Sequence, residues 1–188
     1  EKERFETIAE PEIVHSGCSD WRCVVALLEH KVSNKIFCIQ TVHLPSGETN
    51  EDEQDRLLHL STEVGELFGL DRVKAARRGD RPRSVFAHIV CGDFNSSEEP
   101  LFRRMYKNLV HPYMREKEYI NANPTPFATY NDWTAASFDY IYVKANREEN
   151  EADAAAVRMT PILNPATKPI PDDSNGSDHK PLSVHIHF

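Results

Sequence analysis

The sequence has no run of apolar residues long enough to cross a bilayer, and it is poor in basic residues. Its 188 residues carry 22 Lys and Arg against 30 Asp and Glu, which gives a net charge of −8. A negative overall field does not attract nucleic acid by itself. A carboxylate-rich site that holds a divalent cation is compatible with this balance. The chain also lacks internal repeats and low-complexity tracts, and its length suits one domain with a hydrophobic core.

Cysteine is scarce, and the four cysteines form no C-x-x-C pair. Cys23, Cys38 and Cys91 lie inside apolar runs, whereas Cys18 does not. We therefore expect reduced, buried thiols rather than disulfides or zinc ligands. Reduced thiols favour an intracellular, cytoplasmic protein.

Short apolar runs predict an α/β fold with mixed sheets and more strands than helices. Strands are predicted at residues 22–29, 35–43, 84–91, 138–143 and 181–188. An amphipathic helix is predicted at 51–70, with Asn50 as its N-cap and Glu53 as the reciprocal acid. A second helix is predicted to begin after Ser96 or Ser97 and to end at Pro112.

The strand predicted at 181–188 has strict alternation. Its apolar residues, Val184 and Ile186 among them, fall on one face, which we expect to pack on a core. His185 and His187 fall on the other face, and we expect them to be exposed or to lie at an interface.

Polar residues stand at or just beyond the ends of the predicted strands. Residues 91–95 read CGDFN, residues 176–181 read GSDHKP, Asp139 lies within F-D-Y-I, and His43 ends the strand at 35–43. Carboxylates hold a hard cation through oxygen and position a water. A His oriented by an Asp can offer positive charge to a phosphoryl group. These are the groups that hydrolysis of a phosphodiester needs.

Each of these residues also has a purely structural interpretation. Asp93 and Asn95 are residue types that form turns after strands. Asp178 can cap a loop, Asp139 can belong to a structural ion pair, and His43 can be packed at a strand end. Their shared placement at strand ends favours a catalytic site over these separate explanations.

The motifs GDFN, D-Y-I and GSDHKPL, in this order, resemble the signature of the endonuclease/exonuclease/phosphatase superfamily, which includes DNase I and the poly(A) deadenylases. The resemblance covers residues 35–188. It implies an α/β fold, a four-layered αββα sandwich, and dependence on Mg²⁺ or Mn²⁺.

The same resemblance places an Asn and a metal-binding Glu in the first half of the domain, the Glu in a Gln-Glu motif. No such motif precedes Arg22. We therefore expect residues 1–188 to be the C-terminal part of one such domain. We also expect its N-terminal side to come from a missing segment or a partner chain.

The resemblance implies a role for each site residue. Asp93 would position or deprotonate the attacking water, and Asn95 would contact the phosphate. Asp139 would pair with His179, which would stabilise the transition state. His43 would face the leaving-group side. Asp178 would bind the metal.

Residues 92–102 and 126–131 resemble the corresponding segments of the deadenylase/nocturnin group. In that group an aromatic residue before the catalytic strand stacks on a base, and Phe127 and Trp133 are the candidates here. Core packing is the other interpretation of both.

The function predicted from the sequence is metal-dependent phosphodiester hydrolysis by a 3′ exoribonuclease or poly(A) deadenylase-like nuclease that acts on single-stranded RNA. Two alternatives stay open. One is a non-catalytic member of the superfamily that acts as a binding module. The other is a small-phosphoester or lipid phosphodiesterase.

Overall fold

The computed structural model describes residues 4–8, 11–15, 22–75, 85–122, 137–146, 158–162 and 183–187. The strands of these ranges are β1 (Phe5–Thr7), β2 (Glu12–His15), β3 (Arg22–His30), β4 (Lys35–His43), β5 (Val85–Asp93), β6 (Ile120–Asn121), β7 (Asp139–Ala145), β8 (Arg158–Ile162) and β9 (Ser183–His187). The helices of the same ranges are α1 (Asn50–Ala75), α2 (Phe102–Met105) and α3 (Val110–Glu116).

In the described part of the chain, seven strands form one large mixed sheet in the order β1-β3-β4-β5-β7-β6, with β2 also paired to β3. β3 and β4 form an antiparallel hairpin. β4 and β5 are parallel, since the chain between them returns through α1, and β5 and β7 are antiparallel. β8 and β9 pair in a second, antiparallel sheet. The mixed arrangement agrees with the fold class expected from the sequence.

Helices α1 and α3 cover one face of the large sheet, which we call the helix face. The core beneath them is built from buried side chains of both helices, of β4, β5 and β7, and of the loops beside them: Val42, Leu44, Leu60, Val64, Val90, Phe94, Val110, Met114, Tyr119, Tyr140 and Tyr142. A second buried cluster continues this face towards β3: Cys23, Val25, Leu27, Ile36, Cys38 and Val85. Cys23 and Cys38 are both fully buried, as expected.

The opposite face of the large sheet packs on the second sheet, and we call it the β9 face. Val184 and Ile186 of β9 lie against a cluster formed by Phe37, Ala87, Ala122 and Val143. His185 and His187 point away and are exposed, as the alternation predicted. The layers are therefore helix, sheet and sheet. Among the described residues, no helix lies beyond β8 and β9 as the fourth layer.

The N-terminus of α1 differs by one residue from the prediction. Thr49 rather than Asn50 is the N-cap, because its Oγ1 accepts a hydrogen bond from Asp52 N at 3.2 Å. Asp52 Oδ2 in turn accepts from Thr49 N at 2.9 Å, which completes a capping box. Asn50 Oδ1 accepts from Lys107 N instead, and Glu53 is buried.

The second predicted helix is in fact two short helices, α2 and α3, and neither has a side-chain N-cap. Pro112 does not end a helix but lies in the first turn of α3, where its missing N–H would have no intrahelical acceptor. Ser96 and Ser97, expected as caps, are fully buried. Within the described residues, no helix combines the length and the apolar character that crossing a membrane requires.

Two histidines are buried on the helix face, each bonded to a tyrosine. His88 Nδ1 is hydrogen-bonded to the Tyr119 hydroxyl, and His111 Nδ1 to the Tyr142 hydroxyl at 2.5 Å. Burial lowers the pKa of His88 to about 4, with a further contribution from the positive charge of Lys144. Burial also lowers the pKa of His111. Both imidazoles are therefore neutral at pH 7.

We expect the free energy of unfolding to fall as the pH is lowered from about 6.5 to about 4. In this window the unfolded chain binds a proton at His88, whereas the folded chain does not, so acid favours unfolding. For a pKa lowered to about 4 the loss approaches about 3 kcal/mol at the acid end. Urea unfolding at a series of pH values measures it.

Two variants separate the titration of His88 from its packing. His88→Gln should reduce the slope of stability against pH, and burial of His111 should leave a residual slope. Tyr119→Phe removes the hydroxyl partner but keeps the imidazole, so stability should drop with the slope retained. A wild-type slope in His88→Gln would contradict this assignment.

Candidate active site

His43, Asp93 and Asp139 lie on one row across three neighbouring strands. His43 is aligned with Asp93 in the parallel β4–β5 ladder, and Asp93 is opposite Asp139 in the antiparallel β5–β7 ladder. Residues in register on adjacent strands project to the same face of a sheet. Because side chains alternate along a strand, this is the β9 face, to which Phe37 and Val143 also belong. The fold therefore brings three of the predicted site residues together at one end of the interface between the sheets.

The sequence GDFN has a physical reason at each position. Gly92 has a φ of 135°, and a Cβ there would collide with the carbonyl oxygen of Val42 on the neighbouring strand. Phe94 is fully buried on the helix face and anchors the loop to the core. Asn95 has a φ of 47°, a left-handed conformation that Asn adopts more readily than most residues. Asp93 is thus held between two backbone constraints and a hydrophobic anchor.

Asn95 fixes the orientation of the Asp93 carboxylate. Asn95 N donates to Asp93 Oδ1 at 2.8 Å, and Asn95 Nδ2 is 3.2 Å from Asp93 Oδ2. The same Nδ2 donates to the carbonyl oxygen of Leu44 at 2.8 Å, and Leu44 N donates to Asp93 O at 2.9 Å. The loops that follow β4 and β5 are therefore joined directly at the site.

His43 lies beside the same carboxylate on the solvent side. Its Nε2 is 3.6 Å from Asp93 Oδ2. The imidazole side chain is 61% exposed, whereas that of Asp93 is 15% exposed. A largely buried carboxylate beside an exposed imidazole is suited to proton transfer, because the imidazole can exchange protons with the solvent.

The pairing of Asp93 with Asp139 places two carboxylates opposite each other. Directly opposed residues of antiparallel strands have Cα atoms about 4.5–5.5 Å apart, and like charges there are unfavourable. A cation at this row would remove the repulsion, and carboxylate oxygens are the donors that Mg²⁺ and Mn²⁺ prefer. The carboxylate oxygens of this row are therefore donors of the type that suits Mg²⁺ or Mn²⁺. Within the described ranges, however, no group of three or more His, Cys, Asp or Glu is arranged to hold a metal.

Cys91 shares the β9 face with Asp93, two residues away on β5. It is a half-buried free thiol, and burial raises its pKa. The thiol therefore stays protonated at neutral pH, which excludes a thiolate nucleophile at this position.

Four predicted site residues, Phe127, Trp133, Asp178 and His179, lie outside the described residues. Their roles remain predictions. The structure accordingly describes the half of the candidate site that β4, β5 and β7 supply.

Sequence reasoning missed a buried ion pair on α1 beside the site. The side chains of Glu53 and Arg56 are 0% exposed, and their atoms Oε2 and Nη1 are 2.8 Å apart. The available signal was the i, i+3 spacing of an acid and a base just after the His43 loop. That signal was lost because Glu53 was assigned to the helix cap.

We expect Gly92→Ala to lower the free energy of unfolding by at least about 2 kcal/mol. The positive φ disfavours any side chain, and the new methyl group would push β5 away from Val42. Urea denaturation measures the loss.

Cys91→Ala is the matched control, because Cys91 is the preceding residue and does not have a positive φ. It should cost less than about 1 kcal/mol. A Gly92→Ala protein as stable as the wild type would show that β4 and β5 do not need this close approach.

No protein-family model matches the chain, and no curated protein sequence is significantly similar to it. Solved structures do match. The human Nocturnin catalytic domain with a bound sulfate anion is 18% identical, with a TM-score of 0.54 over 98% of this chain and 61% of that one. ANGEL2, a 2′,3′-cyclic phosphatase, in complex with adenosine-2′,3′-vanadate, is 17% identical, with a TM-score of 0.57 over 95% of this chain and 66% of that one.

A third match is an endonuclease/exonuclease/phosphatase family protein from Bacteroides thetaiotaomicron. It is 13% identical, with a TM-score of 0.50 over 97% of this chain and 66% of that one. This chain thus spans about two thirds or less of the length of these three structures. The chain has the DNase I-like α/β sandwich fold of the endonuclease/exonuclease/phosphatase proteins, as its motifs predicted.

Proposed function

We propose that this chain forms part of a metal-dependent phosphoester hydrolase, with its site at the row His43, Asp93 and Asp139. The observation that carries the proposal is the Asp93 carboxylate. It is oriented by two hydrogen bonds from Asn95, is adjacent to an exposed imidazole, and faces a second carboxylate across the β5–β7 ladder. Turn formation alone would require none of these neighbours.

In this proposal Asp93 is the general base. Its two oxygens are held in place by Asn95, so the carboxylate is already oriented before a water arrives. For Asn95 to contact a phosphate oxygen as well, its side-chain amide would exchange its bond to Leu44 O or to Asp93 Oδ2 for one to the substrate. His43 donates a hydrogen bond towards the leaving oxygen from the solvent side.

The remaining roles belong to residues outside the described ranges. Asp178 would hold the Mg²⁺ or Mn²⁺ ion together with oxygen donors of this row. When bound, such an ion neutralises charge on the phosphoryl oxygens. His179, paired with Asp139, would add positive charge to the same oxygens.

The substrate that we propose is single-stranded RNA, degraded from its 3′ end as by a deadenylase. The resemblance of residues 92–102 and 126–131 to the deadenylase/nocturnin group supports this class, as do the aromatic candidates Phe127 and Trp133, which can stack on bases. A small phosphoester is the second candidate, and similarity to ANGEL2, a 2′,3′-cyclic phosphatase, supports it.

The proposal includes the domain assignment made from the sequence, in which residues 1–188 are the C-terminal part of one domain. The described residues provide fewer than three ligands for a metal, and a further carboxylate would come from another segment or a partner chain. We expect isothermal titration to detect weak Mg²⁺ binding by this chain alone. Addition of a segment that carries a Glu should tighten it.

We expect the domain, once completed by the segment that carries the Glu, to shorten a 5′-labelled oligoadenylate from its 3′ end in Mg²⁺ and to be inactive in EDTA. Asp93→Asn keeps the shape of the side chain but removes the base, so kcat should fall by about 10²-fold or more. Gel analysis of the products over time measures both effects.

Asp55→Asn is the matched control, because Asp55 is an exposed acid on α1 outside the site. It should keep the wild-type kcat. Full activity in EDTA, or in Asp93→Asn, would contradict the proposed mechanism. Hydrolysis of adenosine 2′,3′-cyclic phosphate without shortening of RNA would favour the small-phosphoester candidate. Binding of oligoadenylate with no hydrolysis would favour a non-catalytic module.

A further inference from the structure

The Glu53–Arg56 pair lies on the helix side of the candidate site and is shielded from water. Both side chains are 0% exposed, and the pair is joined by a hydrogen bond of 2.8 Å. A buried ion pair is retained at little cost only when its remaining donors and acceptors are also satisfied. The partners that satisfy them show what the pair connects.

Arg56 holds the loop that follows β4. Its Nε donates to the carbonyl oxygen of Pro45 at 2.7 Å, and its Nη2 donates to the carbonyl oxygen of Gly47. The guanidinium also lies over the ring of Tyr106, 5.2 Å from the ring centroid. Three nitrogens of one planar group therefore bind Glu53 and two backbone carbonyl oxygens of this loop, which follows His43 directly.

Glu53 holds the loop that follows β5. Its Oε1 accepts from Ser96 Oγ at 2.9 Å, from Leu109 N at 2.9 Å and from Val110 N at 3.1 Å. Ser96 is the residue after Asn95, and Val110 begins α3. One carboxylate thus fixes both ends of the segment that joins β5 to α3.

We propose that Glu53 and Arg56 are positioning residues for the candidate site, a role that rests on the proposed function for its catalytic meaning. Arg56 locates the loop that begins at Leu44, and Glu53 locates the loop that contains Asn95. The bond from Asn95 Nδ2 to Leu44 O joins these two loops at the site. The pair therefore sets the separation of the two loops, and with it the position of the Asn95 side chain that orients Asp93.

A general contribution to stability is the competing explanation, and Arg56→Lys separates the two. Lysine keeps the positive charge beside Glu53, but its single ammonium lacks the planar fork that reaches both carbonyl oxygens. If charge neutralisation is the whole role, Arg56→Lys is close to wild type at the site. If the pair positions the loops, the loop after β4 is released although the charge remains.

The test is amide hydrogen exchange by NMR on the 188-residue chain, because it needs no activity. We expect Arg56→Lys to speed exchange of Leu44 N–H and Asn95 N–H by about tenfold or more. The reference is exchange of Ala122 N–H, which follows β6 and is bonded to Ile141 O. Ser96→Ala removes one bond to Glu53 and leaves the ion pair intact. It should speed exchange at Asn95 more than at Leu44.

Tyr119→Phe is the matched control, since it removes a buried hydrogen bond on the helix face, to His88, in which no residue of the site loops takes part. When the variants are compared at equal global stability, Tyr119→Phe should change the ratio of the Leu44 and Asn95 exchange rates to the Ala122 exchange rate by less than about twofold. Equal loss of site protection in Tyr119→Phe and Arg56→Lys, or unchanged protection in Arg56→Lys and Ser96→Ala, would overturn the proposal.

Where wild-type protein hydrolyses oligoadenylate, Arg56→Lys should lower kcat with KM within about twofold. If wild-type protein hydrolyses nothing, the proposed function fails while the exchange ratios still decide the positioning role.

Discussion

The candidate site depends on the parallel pairing of β4 with β5. This pairing aligns His43 with Asp93, and its last hydrogen bond, from Leu44 N to Asp93 O, lies inside the site itself. A slip of one residue would turn each side chain to the opposite face of the sheet. The acid would then face the helices and the phenylalanine after it would face the second sheet. Gly92 allows the two backbones to approach at this point, and Phe94 prevents the slip by filling the core on the helix face.

The two faces of the large sheet divide stability from chemistry. Under α1 and α3 the strands bury a continuous set of aliphatic and aromatic side chains, together with His–Tyr pairs and an ion pair whose polar atoms are bonded. On the β9 face, the described residues include apolar side chains that are partly exposed. Val24, on the β3 side of that face, is 38% exposed, and the row of His43, Asp93 and Asp139 lies at its end. A rigid, well-packed layer thus supports polar groups that remain accessible from the other side, which is the arrangement that preorganised sites require.

The sequence allowed prediction of those features that depend on local pattern. The strand that ends at His43 has the same bounds as predicted. The alternation around Val184 and Ile186 correctly predicted which face of β9 packs on the core. The motif GDFN indicated the candidate site because Gly92 and Asn95 each meet a local backbone requirement on either side of Asp93. Glu53 could not be placed in the same way. A charged residue near a helix N-terminus has the pattern of a solvent-facing cap, and its burial depends on Ser96 and on the amides of α3, far away in sequence. Pro112 was misread for a related reason, since a proline marks a helix start as well as a stop.

The buried, fully hydrogen-bonded Glu53–Arg56 pair restricts how these two positions can evolve. Loss of either partner alone leaves a charge buried without compensation, at a cost of about 3–5 kcal/mol. Small domains have about 5–15 kcal/mol of stability in total, so such a single step approaches the threshold for folding. Replacement of both residues by well-packed apolar side chains can be neutral. A change from the ion pair to an apolar pair therefore passes through a single mutant that is unstable. Lineages that retain the site should keep the acid and the base together or exchange both, with compensating changes in the loop around Gly47.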